Sequence, residues 1–356
     1  MNARVEITAG EKTFSSGLLV DIVRALGQIA DGELLAVVGP HGLEDDLRTW
    51  SALTGHAIVG REPFDDRGPV GRSMGQGGTR RLTRWTIRRG PARGQGNESR
   101  PLGSRLWLYT NFDCNLHCDY CCVRSSPSAR RRALGLERIK RIAAEAPASG
   151  VAEFFVTGGE PFLLADIAEI ITTLTDVAPA TVLTNGMLFK GSRLAALRSL
   201  PRDRVTLQIS LDSPTPALHD AHRGAGAWRA AWAGIQLARA EGFRVRLAAS
   251  VSTDNEEDAF RQSLDAEGVP ANDRIIRRIA RRGFAESGVM VSRADLAPEL
   301  TITSDGVYWH PVGAEDEDLL VTTEIFPLAA AFAKARELVA REQEYGNRLA
   351  RVFYCA

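Results

Sequence analysis

Six short apolar segments alternate with amphipathic ones between residues 105 and 288, a briefer alternation precedes them, and the rhythm changes after them. These observations predict an α/β protein: a partial (β/α)6 TIM-like barrel, with a small two-layer α/β domain before it and a short C-terminal α+β appendage. The expected divisions are 1–90 for the accessory domain, 91–104 for a linker, 105–288 for the barrel and 289–356 for the extension. With 356 residues, the chain has room for more than one domain of roughly 150 residues and for an enzyme-sized core.

The first domain begins with an alternating strand at 5–8. A helix at 17–30 follows, with Leu18, Leu19, Ile22, Ala25 and Leu26 on one face, and Asp31-Gly32 stops it. A strand at 34–38, a helix at 43–54, a strand at 57–59 and an alternating run at 82–87 complete a βαβαββ order. Residues 90–104 carry four Gly and two Pro among polar residues and show no periodicity, which is linker composition. Residues 72–105 hold nine Arg and one acid, Glu98. That run reads as a solvated basic edge or as a contact for an acidic partner such as a leader peptide or nucleic acid.

Barrel strands are expected at 106–109, 153–156, 181–183, 205–210, 244–250 and 274–279. Amphipathic helices fall between them at 136–146, 167–174 and 227–240, the last with Trp228, Ala231, Trp232, Ile235 and Ala238 on one face. Parallel strands need crossovers, which helices supply, and six such units fall short of a closed eightfold barrel. Chemistry belongs at the carboxyl ends of the strands. Past residue 290, strands at 300–303 and 307–310 flank Ser304-Asp305-Gly306, and a helix is expected at 328–342.

Lys plus Arg and Asp plus Glu both total 44, so the net charge is zero, which argues against a dedicated binder of nucleic acid or anionic membrane. No window approaches the roughly 18 apolar residues that a bilayer span needs, and 1–6 lack the apolar run of a secretory signal, so a cytoplasmic protein with no membrane partner is expected. Of five cysteines, Cys114, Cys118, Cys121 and Cys122 crowd into nine positions while Cys355 stands alone. That spacing suggests metal in a reducing compartment, not a disulfide framework.

Directly after the first barrel strand, Cys114-Asn115-Leu116-His117-Cys118-Asp119-Tyr120-Cys121 sets three thiolates on one loop in a C-x3-C-x2-C spacing. Structural zinc wants four closed ligands, whereas a [4Fe-4S] cluster on three thiolates leaves one iron open to an outside ligand. Zinc completed by His117, Cys122 or Cys355 is the competing reading. The spacing, with Tyr120 just before the third Cys, closely resembles the radical S-adenosylmethionine (radical SAM) superfamily. The resemblance spans 105 to about 285. It implies that Cys114, Cys118 and Cys121 hold one [4Fe-4S] cluster, that the open iron chelates SAM, and that one electron from the reduced cluster yields a 5′-deoxyadenosyl radical.

Other segments resemble the family at successive strand ends. Thr157-Gly158-Gly159-Glu160-Pro161 resembles the GGEP segment, where glycines admit close backbone approach and Glu160 offers an acceptor to the SAM amine. Asn185 in Thr184-Asn185-Gly186, and Ser210 and Asp212 in Ser210-Leu211-Asp212-Ser213, fall where the family meets SAM's ribose and methionyl end. The segment 219–224 resembles the one whose arginine meets the SAM carboxylate, here Arg223, while His219 and His222 read as solvated or capping residues. Arg277, Arg278, Arg281 and Arg282 precede Gly283-Phe284-Ala285 in what looks like the last barrel strand and exit loop; arginines facing the mouth would favour a carboxylate-bearing substrate.

The first domain resembles sulfur carriers of the SirA/TusA type, but Ser15-Ser16-Gly17 stands where those place a Cys-Pro pair, so the persulfide thiol is missing. The tail resembles the SPASM/twitch extension of peptide-modifying members without its auxiliary-cluster cysteines. The implied activity is hydrogen-atom abstraction from a peptide, small molecule or natural-product precursor, with flavodoxin or ferredoxin as electron donor. Sulfur insertion is an alternative outcome, and a non-catalytic iron-sulfur redox sensor is the alternative class.

Overall fold

The computed structural model describes residues 3–10, 18–54, 56–64, 82–90 and 101–352. Ser15-Ser16-Gly17, Cys355 and most of the basic run and linker lie outside the described residues. The chain divides into two compact units, Met1–Ser99 and Arg100–Ala356.

In the first unit, β1 (Val5–Thr8), α1 (Leu18–Leu26), β2 (Leu34–Pro40), α2 (Glu44–Thr54), β3 (Ala57–Phe64) and β4 (Leu82–Arg88) follow the expected βαβαββ order. The sheet order is β1-β2-β4-β3, with β1 parallel to β2 and the other pairs antiparallel. Leu18, Ile22 and Leu26 recur every fourth residue along α1, so they form one stripe that packs with Leu47 and Trp50 of α2 onto Leu35, Val37, Trp85 and Ile87. Each such fully buried side chain contributes about 1.5–3 kcal/mol of burial free energy. β3 runs five residues past the expected 57–59 because its pairing with β4 continues to Phe64↔Leu82, which local alternation does not reveal.

The second unit is an open sheet of nine strands. β5 (Arg105–Tyr109), β6 (Glu153–Thr157), β7 (Ala180–Thr184), β8 (Val205–Ser210), β9 (Arg244–Val251) and β10 (Arg274–Arg278) pair in sequence order, all parallel. Crossovers carry α3 (Leu136–Glu145), α4 (Ile167–Thr175), α5 (Ser192–Ser199), α6 (Pro216–Arg223), α7 (Ala227–Ala240) and α8 (Asp254–Ala266). This is the partial, unclosed barrel arrangement. Period-two alternation sorts the strands: Val245, Leu247, Ala249 and Val251 of β9 join the core beneath the helices, leaving Arg246, Ala248 and Ser250 for the barrel interior.

The C-terminal segment extends the same sheet. β11 (Thr301–Thr303) pairs parallel with β5, and β12 (Gly306–Tyr308) and β13 (Leu320–Thr322) continue antiparallel, so the order reads β10-β9-β8-β7-β6-β5-β11-β12-β13. A separate cluster of Tyr109, Phe112, Val123, Trp309 and Leu319 packs this segment against the residues around the cysteine loop. The final helix, α9 (Leu328–Val352), seats Leu328, Phe332 and Ala335 in the main core. Among the described residues no helix is long and apolar enough to cross a membrane.

Candidate active site

Cys114, Cys118 and Cys121 line one cavity of about 250 Å3 at the carboxyl ends of the parallel strands. Tyr120, Gly158, Gly159, Asn185, Ser210 and Arg223 line it too. The sequence therefore singled out residues from five different segments that the fold brings to one place.

Close backbone contact fixes the glycines. A Cβ on Gly158 would stand 2.4 Å from Asn111 Oδ1, and one on Gly159 2.1 Å from the Asp113 carbonyl oxygen. Only glycine lets the turn after β6 lie against the entry to the cysteine loop, where the Gly159 N–H donates to the Asn111 carbonyl at 2.9 Å. The exit loop clamps the opposite side. Gly283 holds φ at +64°, a Cβ there would fall 2.1 Å from the Cys121 carbonyl oxygen, and the Phe284 N–H donates to that oxygen at 2.9 Å.

Backbone N–H groups also address the sulfurs: Leu116 donates to Cys114 Sγ and Ser125 to Cys121 Sγ, both at 3.4 Å. Burial pushes the Cys114 thiol up to about 12 and the Cys118 thiol up to about 11, with Arg223 pulling Cys118 back down. Both are protonated at neutral pH until a metal displaces the proton. Among the described residues no group of three or more His, Cys, Asp or Glu stands close enough to hold one metal ion. A [4Fe-4S] cluster asks for something else, three thiolates each on its own iron with hydrogen bonds to sulfur. The spaced sulfurs around a cavity, two of them already facing N–H donors, fit that group.

Two carboxylates take different places from those expected. Glu160 is fully buried and absent from the cavity lining. Its Oε1 accepts from the Phe162 N–H at 3.0 Å and Thr184 Oγ1 at 2.8 Å, and its Oε2 accepts from the Asn185 N–H at 2.8 Å. Burial raises its pKa against those hydrogen bonds. It ties the end of β6 to the end of β7, and the glycines present backbone to the cavity instead. Asp212 likewise lies behind the wall, accepting from Arg223 Nε at 2.6 Å, the Tyr120 hydroxyl at 2.5 Å and the Ser250 N–H at 3.1 Å. Burial works to raise its pKa, but Arg223 and these donors hold it below the usual carboxylate range. Ser210 lines the cavity, and Asp212 meets it through Tyr120, Arg223 and Ser250, which line it too.

Asn185 donates to Asn115 Oδ1 at 2.8 Å and accepts from the Met187 N–H, linking β7's end to the cysteine loop. His219 is a buried residue, not a solvated one: its Nδ1 accepts from the Asp212 N–H at 3.1 Å, and burial drops its pKa to about 4. His222 pairs with Asp119 at 2.9 Å and sets its ring edge on Tyr120. Of the four arginines near the last strand, Arg282 is held by Asp316 at 2.8 Å and Asp318 at 2.7 Å, Arg278 pairs with Glu257 at 3.7 Å, and Arg281 contacts Met290. Arg277 and Arg278 line the cavity. Cys122 lines it as well, its thiol raised to about 12 by burial.

Sequence reasoning did not single out Trp107, Tyr109, Thr157, Ser250, Pro311 or Val312, all in the lining. Alternation from Trp107 to Tyr109 and a strand-end position for Thr157 and Ser250 were usable signals. None existed for Pro311 and Val312, which arrive through the pairing of β11 with β5, with the Tyr109 hydroxyl donating to the Pro311 carbonyl at 2.9 Å.

Comparison with known proteins agrees with this geometry. Residues 108–263 match the family model of the radical SAM superfamily. The AdoMet-dependent heme synthase of Oleidesulfovibrio alaskensis is 30% identical over 151 residues, 42% of this chain and 38% of that protein. The antilisterial bacteriocin subtilosin biosynthesis protein AlbA of Bacillus subtilis is 33% identical over 162 residues, 45% of this chain and 36% of that protein. The chain thus spans about two fifths of the length of the curated relatives it matches. Native anSMEcpe with bound AdoMet shares the fold, with a TM-score of 0.52 at 14% identity over 65% of this chain and 82% of that one. Members of the superfamily use a [4Fe-4S] cluster and S-adenosylmethionine. From motif, cavity and family match together, residues 108–263 are a radical SAM domain.

Proposed function

We propose that the protein is a radical SAM enzyme that removes a hydrogen atom from a peptide or natural-product precursor. The observation that carries this reading is the convergence of three spaced cysteines and two backbone-exposing glycines on one cavity at the strand ends. Cys114, Cys118 and Cys121 would hold the [4Fe-4S] cluster, and the cluster with SAM supplies the hydrogen-abstracting radical once one electron arrives.

The chain's own residues do the positioning. Gly158 and Gly159 present backbone to SAM's amine, Tyr120 flanks its adenine, and Asn185 and Ser210 offer polar atoms to its ribose and methionyl end. Arg223 supplies positive charge beside Cys118 while Asp212 fixes its orientation. Glu160 acts through the strand ends it joins. Removing water from such a cavity strengthens each of these contacts.

The match to a bacteriocin biosynthesis protein supports a peptide-like substrate. We assign 1–90 to a TusA-like recognition domain without sulfur-transfer chemistry, 91–104 to a linker, 105–288 to the barrel and 289–356 to a twitch-like extension. A flavodoxin or ferredoxin would deliver the electron. The test is anaerobic reconstitution with iron and sulfide, dithionite reduction and assay for 5′-deoxyadenosine, with metal measured on the same sample. About four irons per chain with 5′-deoxyadenosine formed is the expected result. Zinc alone, or a cluster without cleavage at saturating SAM, would overturn it. Cys118→Ala should lose cluster and cleavage together.

A further inference from the structure

The barrel interior carries positive charge that its own residues leave unmatched. β9 turns Arg246 and Ser250 inward, and the register sets Arg277 of β10 beside Ser250 on the same face. Around them stand Arg105, Glu153 and Glu299. Glu299 already accepts from Arg105 at 3.2 Å and from the Trp107 indole N–H, and Arg105 also meets Glu153 at 3.5 Å. Three guanidiniums therefore face two carboxylates, and Arg105 engages both.

Arg246 and Arg277 have no ion pair or hydrogen bond among the described residues, and Arg246 Nε is buried without an acceptor. Directly across the register, Gln208 Oε1 is buried without a donor. Desolvation lowers the pKa of each, and the charge of Arg246 adds to this at Arg277. Arg277 nevertheless keeps its surface open to the cavity that the cysteine loop lines. Strand pairing does not require arginine at either position. Arg277 is exposed at the cavity and bound to no carboxylate among the described residues, so it is free to take an anion there, and its planar fork suits a carboxylate.

We propose that the barrel interior is a binding site for a carboxylate of the substrate, with Arg277 as the direct contact and Arg246 as the supporting charge. Arg223, which lines the same cavity, is already compensated by Asp212. The inference deepens the reading of this cavity as the substrate site and rests on it. The carboxylate is an acidic side chain or a chain terminus of a peptide.

The test is calorimetric titration of the full chain, cluster-loaded and without reductant, so that no turnover occurs and failure of SAM cleavage would leave the result intact. N-acetylglutamate amide probes a side-chain carboxylate, N-acetylglutamine a terminal one, and N-acetylglutamine amide neither. One of the two acids should bind saturably and the neutral probe should not. Arg277→Gln should weaken the acid about 10- to 100-fold, the loss expected for one charge-assisted pair, and Arg277→Lys should recover part of it. Arg246→Gln should weaken it less. Thermal melts of the same samples should show Arg277→Gln folded, because no partner is orphaned. Equal affinity of Arg277→Gln and wild type, or no binding of either acid, would overturn the proposal. So would full displacement of the acid by S-adenosylmethionine, which would give Arg277 to that molecule's own carboxylate.

Discussion

The two walls of the cavity are built on opposite terms. On the wall of β6, β7 and β8, every carboxylate is spent: Glu160 holds three donors, and Asp212 holds Arg223, Tyr120 and the Ser250 N–H. On the wall of β9 and β10, Arg246 and Arg277 have no ion pair among the described residues, and Arg246 Nε has no acceptor. Paired charges on the first wall make it a rigid mould whose shape does not depend on an arriving molecule. Unpaired charges on the second leave interaction free energy for a guest. The first contrast predicts large losses of stability on mutation, and the second predicts almost none.

The largest effect should come from Asp212→Asn. Its side chain is 1% exposed and that of Arg223 10%, so the change strands a buried guanidinium. Unfolding by urea should show a loss of about 3–5 kcal/mol, the cost of breaking a buried pair from one side; a loss below about 1 kcal/mol would mean the wall is not held by this pair. Gly159→Ala should follow, at about 1–3 kcal/mol, because the new methyl meets backbone that cannot rotate away. Its cluster content per chain should fall with it.

Acid should act on both walls: His219 stands behind the first, and His310, two residues past β12, lies in the field of Arg277 on the second. Burial lowers His219 and His310 to about 4, so both are neutral in the fold, whereas in the unfolded chain they take a proton near 6.5. The unfolded state then binds more protons between pH 6.5 and 4, and stability falls as pH falls through that window. Each histidine contributes a slope of about 1.4 kcal/mol per pH unit. Denaturation curves of His219→Gln against wild type at pH 7 and pH 5 should show the slope reduced in the variant. The smallest effect belongs to Arg277→Met, which should leave the protein unchanged or up to about 1 kcal/mol more stable, since no partner loses its charge. Marked destabilisation there would show that Arg277 supports the fold.

How much of this was legible depends on range. Cys114, Cys118 and Cys121 are a local spacing, and the alternation of strands with helices is a local rhythm, so the cysteine loop and the barrel units stand in the sequence. Gly158 and Gly159 were legible as close-approach residues, but what they approach, the backbone of Asn111 and Asp113, came only with the fold. The turned-away carboxylates of Glu160 and Asp212 depend on Thr184, 24 residues from Glu160, and on Arg223 and Tyr120, 11 and 92 residues from Asp212, which no periodicity encodes. Arg277 was readable only as one arginine among four. Among the described residues, Arg282 and Arg278 found acids; of the two that did not, Arg277 lines the cavity and Arg281 does not.

The pairing of β11 with β5 also sets an order in time. The strand that leads into the cysteine loop gains its second neighbour from residues almost two hundred positions later, and Pro311 and Val312 reach the loop only with that pairing. At about 5–20 residues per second of synthesis, that interval is roughly 10–40 seconds. Throughout it, the three thiols are made but the last side of their enclosure is not, which leaves the nascent chain open on that side to incoming iron and sulfide and equally open to oxidants.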